Sequence, residues 1–404
     1  MSDLNPNLPK YHPDQPEQSI PPLPGSIPDP PDEHPTEDQV IPKTSENLPP
    51  VVLGCATFGY GIYADTENFL SDMSCRTVRY ALRSGINAFD TSPWYNPSEQ
   101  VLGQALAKLA SEFPRSSYKI LTKVGKYGPS PPEHMYDEKT VRKSVENSLR
   151  RLKTDYLDVV YLHDVEFVTP YKVPAGHHLE SPPTDLLTPP IKSLGPGEDN
   201  VLEGLRTLRA LQAEGTIRAI GIAGYTLPVL LRIALLAAST DIGPLDILQT
   251  YSHETLQCST LSQGYLAKFE EAGVKQVMNA APLAMGVLTS AGAADWHPLR
   301  MAGDKSGAYD ASREAVKWCK ENETTLEEVA VQSGFKELRS PNGVRVPTVI
   351  GCKNVDEVRR TVTGWRKANL EPEAPKMAEA IAAVKKIFED VGAQGYSYLS
   401  PPDA

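Results

Sequence analysis

What this chain has little of narrows its reading first. Cysteine is sparse: Cys55, Cys75, Cys258, Cys319 and Cys352 are dispersed with no paired spacing, which argues against a zinc site and against the disulfide framework of a secreted domain. A reducing compartment is the expectation. No run of about 18 apolar residues occurs, and no basic segment followed by an apolar stretch opens the chain, so neither a spanning helix nor a signal peptide is expected. Lys and Arg do not cluster with aromatic stacking platforms, so no nucleic-acid surface is expected. No Gly-x-Gly-x-x-Gly follows a strand pattern, which removes the usual mark of a Rossmann domain. Together these absences predict a cytoplasmic protein with no nucleic-acid, membrane or metal partner. They leave its oligomeric state open.

What is present is unevenly distributed. The formal charge is −11, but residues 1–47 carry nine acids against Lys10 and Lys43, a net of −7, together with about a third of the 37 prolines. Such a segment buries too little apolar surface to offset the cost of ordering it. It reads as a disordered, Pro-rich acidic tail. The remaining length suits one large α/β barrel or two ordinary domains.

From Val51 onward, short apolar runs alternate with stretches of helical period. Residues 48–392 read as one (β/α)8 barrel, with a Pro-rich insertion at 168–199 that contains His177 and His178, and a tail at 393–404. Helices are expected near 74–84, from an N-cap at Ser98 to Leu109, and at 139–152, 201–213, 228–238, 261–272, 326–334, 355–365 and 377–391. Three neighbouring strand patterns end on a polar residue: Asn87 to Asp90, Tyr118 to Lys123 and Leu157 to His163. Near-continuous apolar runs mark strands buried on both faces, as in a parallel sheet covered by helices. In a parallel barrel the strands' C-terminal rim carries the chemistry, so Asp90, Lys123 and His163 are expected there, with Tyr95 on the loop between the first two.

Those four side chains make sense together as a proton-transfer unit. A free phenol, with a pKa near ~10, is a poor acid or base at neutral pH. An ammonium beside it favours phenolate, and a carboxylate behind the ammonium holds it in place. The imidazole then orients a substrate oxygen against Tyr95. The order and spacing Asp90, Tyr95, Lys123, His163 resembles the catalytic tetrad of the aldo-keto reductases. Within that family His163-Asp164-Val165-Glu166-Phe167 is similar to the branch of NAD-dependent arabinose and L-galactose dehydrogenases. The likeness extends over most of residues 50–365, including Phe89 to Tyr95, Lys123-Val124-Gly125 and Asp155 to Phe167.

The resemblance implies oxidation of an aldose at C1 to its lactone, D-arabinose first and L-galactose or L-fucose next. Tyr95 would be the acid–base group, with Trp94 and Asp164 touching the sugar. It implies NAD(P) stretched across the barrel mouth, with Gln249 on the nicotinamide amide and Pro282, Leu283 and Met285 along the pyrophosphate. Gly351, Lys353 and Asn354 would receive a phosphate at a helix N-terminus. The chain departs from the family at Ala223-Gly224, where Ser-Asn is usual, and at Ala280, where a stacking tyrosine is usual. Gly224 would let the ring approach the backbone. A carboxylate at Glu357 repels a 2′-phosphate and accepts from a free 2′-hydroxyl, so NAD is expected over NADP. The rival expectations are an NADPH-dependent carbonyl reductase on the same scaffold and a non-catalytic nucleotide-sensing subunit, whose mark would be a broken tetrad.

Overall fold

The computed structural model of the chain describes residues 4–60, 66–177, 191–301 and 306–401. Eight parallel strands close into a barrel in sequence order: β1 Val51–Gly54, β2 Ala88–Asp90, β3 Lys119–Val124, β4 Leu157–His163, β5 Ile217–Gly224, β6 Ile247–Tyr251, β7 Gln276–Ala280 and β8 Thr348–Gly351. The last strand pairs with the first, Val51 opposite Thr348 and Leu53 opposite Ile350. This is the (β/α)8 barrel expected from the alternation. Closure leaves no strand of the barrel as an edge.

Side chains alternate across each strand, so one set fills the barrel and the other meets the helices. Val52, Ala88, Leu121, Val159, Tyr161, Ala223, Ile247 and Met278 form the interior cluster. Two residues beyond Ala88, Leu121, Tyr161 and Ile247 come Asp90, Lys123, His163 and Gln249. The pleat that packs the core therefore also turns those four inward at the rim. Outside, α1 Met73–Arg83, α2 Ser98–Lys108, α3 Glu138–Leu152, α4 Pro196–Ala213 and α5 Leu227–Ala238 follow the first five strands. A π-helical turn, Leu261–Tyr265, leads into α6 Leu266–Glu271. Then come α7 Ala308–Glu321, α8 Leu326–Gly334, α9 Val355–Leu370 and α10 Pro375–Asp390, the last packing on α7 in a second apolar cluster with Val384 and Phe388 at its centre.

Several boundaries differ from expectation for tertiary reasons. Ser98 does not cap α2, because Pro97 holds the cap position and the Ser98 hydroxyl donates to the Cys55 carbonyl at 2.7 Å. α4 begins at Pro196, inside the stretch read as an insertion, with proline in its first turn where no amide donor is needed. Part of that insertion returns to the body: Gly176–His177 pairs antiparallel with Tyr396–Ser397. His178 and the rest of 178–190 lie outside the described residues.

Composition weighs against order in residues 1–47, yet the structure lays 4–47 as an extended strap around the barrel's outer helices. Asn147 of α3 donates to the Pro13 carbonyl at 2.7 Å, and Gln100 of α2 to the Gln18 carbonyl at 2.8 Å. Arg76 of α1 pairs with Glu33, and Arg83 with Asp29 at 2.7 Å. Arg366 of α9 donates to the Val40 carbonyl at 2.6 Å. A proline-rich strand has carbonyls in excess of amides, and arginines on the helix faces supply the missing donors. The same strap engages the basic face of α3: Arg150 pairs with Glu17, and Arg151 with Glu99 and Glu17.

Candidate active site

At the C-terminal rim, Lys123 donates to Asp90 Oδ1 at 2.5 Å and to the Thr91 carbonyl at 3.1 Å, both partners buried. Pro93 sets the short helical turn Pro93–Tyr95 that swings Tyr95 over this pair, and Lys123 Nζ lies 4.9 Å from the phenol ring's centre. The Tyr95 ring stands edge-on to His163, their centres 5.7 Å apart. The His163 backbone is pinned by Tyr136, whose hydroxyl donates to its carbonyl at 2.6 Å. All four residues of the expected tetrad thus meet in one place.

The charges do not act wholly as expected. Burial pushes the Tyr95 phenol well above its ordinary value, and the Asp90 and Asp164 carboxylates add to the push. Burial and the two carboxylates outweigh the lowering expected from Lys123, whose ammonium also bonds Asp90 and the Thr91 carbonyl. Tyr95 therefore rests as a neutral phenol. Burial also raises Asp90, opposed by Lys123 and by the Gln249 amide. His163 is held well below its ordinary value by burial, with Lys123 and Lys126 assisting against Asp164. It is a neutral imidazole.

Trp94 and Asp164 sit beside the tetrad with a residue the sequence reading passed over, Lys126. Its ammonium pairs with Asp164 and lies 5.1 Å from the Trp94 ring centre and 4.8 Å from that of Phe167. Asp164 has left-handed backbone (φ 53°), and its carboxyl is brought down against the cost of burial by Lys126. The sequence signal for Lys126 was only its place three residues after Lys123. Trp94 also takes the edge of Tyr11 from the strap, at 5.5 Å. Tyr251, inward and two residues past Gln249, was passed over too; Tyr95 and Asp164 are among the groups that act on it. Glu166 is buried: its Oε1 accepts from the Tyr225 amide at 2.7 Å, and burial with Asp164 nearby pushes it up to about 8.

The expected cofactor positions divide. Gln249 is buried in the mouth, and its Oε1 has no hydrogen-bond partner among the described residues. That orphaned acceptor fits the amide of a nicotinamide. Gly224 has a different reason from the one expected: a Cβ there would stand 2.3 Å from Glu166 Oε2 and 3.0 Å from Leu230, on the helix side of the sheet. Pro282 is buried, while Leu283 and Met285 pack partly into the second apolar cluster. Ala281, Ala284, Met285 and Gly286 of this loop all take positive φ. At the expected phosphate loop, the amides are already engaged: Lys353 N donates to Glu357 Oε2 at 2.7 Å, and Glu357 N to Asn354 Oδ1 at 2.9 Å. Gly351 leaves room for the Thr57 side chain, 2.9 Å from where a Cβ would fall.

A parallel barrel whose rim joins a phenol, an ammonium–carboxylate pair and a neutral imidazole defines an oxidoreductase acting on CH–OH groups. A family model described as aldo/keto reductase family matches residues 50–383, and the chain belongs to that family. It is 32% identical over 359 residues to D-arabinose 1-dehydrogenase of Saccharomyces cerevisiae, covering 87% of this chain and 94% of that one. It is 32% identical over 325 residues to L-galactose dehydrogenase of Arabidopsis thaliana, covering 79% and 85%. Among solved structures, glycerol dehydrogenase of Gluconobacter oxydans shares the fold, with a TM-score of 0.53 and 22% identity over 88% of this chain and 96% of that one. Family members use nicotinamide cofactors, and Gln249 is where this chain's residues best fit one.

Proposed function

We propose that this chain oxidises the cyclic form of an aldose at C1 to the lactone, with NAD as hydride acceptor. The observation that carries the reading is the rim itself, where the tetrad adjoins a Lys126–Asp164 pair and the Trp94 ring, a charged edge and an aromatic face suited to sugar hydroxyls and a sugar ring. Both sugar-dehydrogenase relatives support the substrate class, and D-arabinose is the first choice, with L-galactose and L-fucose next.

In this mechanism His163 directs the C1 hydroxyl at the phenolate form of Tyr95, which takes the proton and becomes the neutral phenol as the C1–H bond breaks and the C1=O bond forms. Lys123 stabilises the negative charge on the phenol oxygen before it takes that proton, and Asp90 holds Lys123 in place. A bound nicotinamide supplies the acceptor for the hydride. Gln249 would hold its amide. Glu357 supports NAD over NADP, since a carboxylate repels a 2′-phosphate; nearby Arg359 is engaged by Asp356 and by the Asp32 carbonyl. Five free, buried thiols are in keeping with a reducing, cytoplasmic setting.

One observation favours a second reading. A phenol held protonated is poised to donate to a carbonyl oxygen, which is the reductive direction. The test is NADH or NADPH formation across D-arabinose, L-galactose and L-fucose, beside consumption of NADPH with aldehydes. The expected result is lactone with NAD, a rate of oxidation that climbs with pH as the phenol loses its proton, and a loss of about 10²–10⁴-fold in Tyr95→Phe. Aldehyde reduction with no aldose oxidation would overturn the dehydrogenase reading.

A further inference from the structure

We infer that Ser92 fixes the proton of His163 on Nε2, making it the positioning residue for the imidazole and for the turn that carries Tyr95. The inference deepens the proposed function and rests on it in one respect only, that His163 faces the reacting oxygen.

Ser92 is buried, and its Oγ lies 3.1 Å from His163 Nδ1 and 3.1 Å from the Trp94 amide nitrogen. The amide can only donate, so it takes one lone pair of the hydroxyl. Among the described residues the hydroxyl's single proton then has one acceptor within reach, Nδ1 of a neutral ring. The opposite arrangement, with the proton on Nδ1, would make Oγ accept twice and leave its own hydrogen buried without a partner, at a cost comparable to a lost hydrogen bond.

A second observation points the same way from the other side of the ring. Asp164 Oδ1 lies 3.9 Å from His163 Nε2, while its Oδ2 is paired with Lys126. A carboxylate oxygen facing Nε2 attracts an N–H there and repels a lone pair. Serine on Nδ1 and aspartate beside Nε2 therefore select one tautomer between them. With its hydrogen on Nε2, His163 is a donor toward the barrel mouth, able to hold the substrate oxygen against Tyr95.

The same serine oxygen also opens the Pro93–Tyr95 turn, because its bond from the Trp94 amide is the cap of that turn. The acid–base phenol and the oxygen holder are thus referenced to a single atom. Thr91, the residue before it, is tied separately to Ser98, 2.7 Å between hydroxyl oxygens, so the backbone leading into Ser92 is anchored independently.

The test is ¹⁵N-histidine NMR of the full chain, wild type against Ser92→Ala and Ser92→Thr, with steady-state kinetics on each. Wild type and Ser92→Thr are expected to show His163 with a pyrrole-type Nε2 and a pyridine-type Nδ1. Ser92→Ala is expected to mix the two tautomers and lose about tenfold or more in kcat, the hydroxyl of threonine restoring both readouts. A pyrrole-type Nδ1 in wild type would overturn the inference, as would an unchanged His163 spectrum in Ser92→Ala. The NMR pattern is read without turnover, so the expected tautomers in a protein that oxidises no aldose would support this assignment while counting against the reaction.

Discussion

A carboxyl that keeps its proton in the folded state ties stability to pH, and Glu166 is such a group. Its pKa is pushed from the ordinary 4.5 to about 8, by burial first and by Asp164 second. Between those two values the folded chain binds a proton that the unfolded chain has released. This contribution to stability is therefore intact below 4.5 and is lost as pH rises through 8. In urea titrations at pH 5, 6.5 and 8, Glu166→Gln is expected to flatten the decline, by the order of a few kcal/mol at pH 8. An equal slope in the variant would show that other groups set it. At this scale the tetrad was legible because each strand run closes on a polar residue that the pleat turns inward. Glu166 was not, since a five-residue motif says nothing of the Tyr225 amide that comes to lie against it.

Elements were legible where their own side chains decide them and illegible where a neighbour does. The run from Leu157 to His163 announces β4 by composition alone, whereas the start of α2 is set by Cys55 and Pro97 rather than by the cap-like Ser98. Gly103 sets local preference against packing within that same helix. Alanine is the better helix former by about 1 kcal/mol, yet a Cβ at 103 would stand 2.0 Å from the Arg151 carbonyl oxygen and 2.8 Å from the Leu152 Cα of α3. Backbone cannot swing aside as a side chain can. Gly103→Ala is expected to destabilise the barrel by about 1–3 kcal/mol through overpacking, read as a lower Tm. A rise in Tm would mean that α2 and α3 separate more readily than the contact implies.

At the scale of the whole molecule, the strap was the least legible feature because its partners lie far away in sequence. Composition correctly reports that residues 4–47 have little apolar surface to bury, but it cannot report that Arg76, Arg83, Arg150 and Arg366 stand in line to receive their acids and carbonyls. A polar attachment of this kind weakens with salt, as the screening length falls from about 10 Å at 0.1 M to about 3 Å at 1 M. Limited proteolysis within residues 4–47 is expected to quicken over that range while cleavage of the barrel stays constant. Salt-independent cutting would count against ion pairing as what holds the strap.

The route of the strap also orders events in time. Asp32 and Val40 are synthesised early, yet Arg359 and Arg366, which bind their carbonyls, follow more than 300 residues later. Val51 likewise waits for Thr348 before β1 has its second neighbour. At about 5–20 residues per second on the ribosome, that delay is roughly 15–60 s. For that interval the first-made segment has no complete seat, and its final docking reports that the ring of strands behind it has shut.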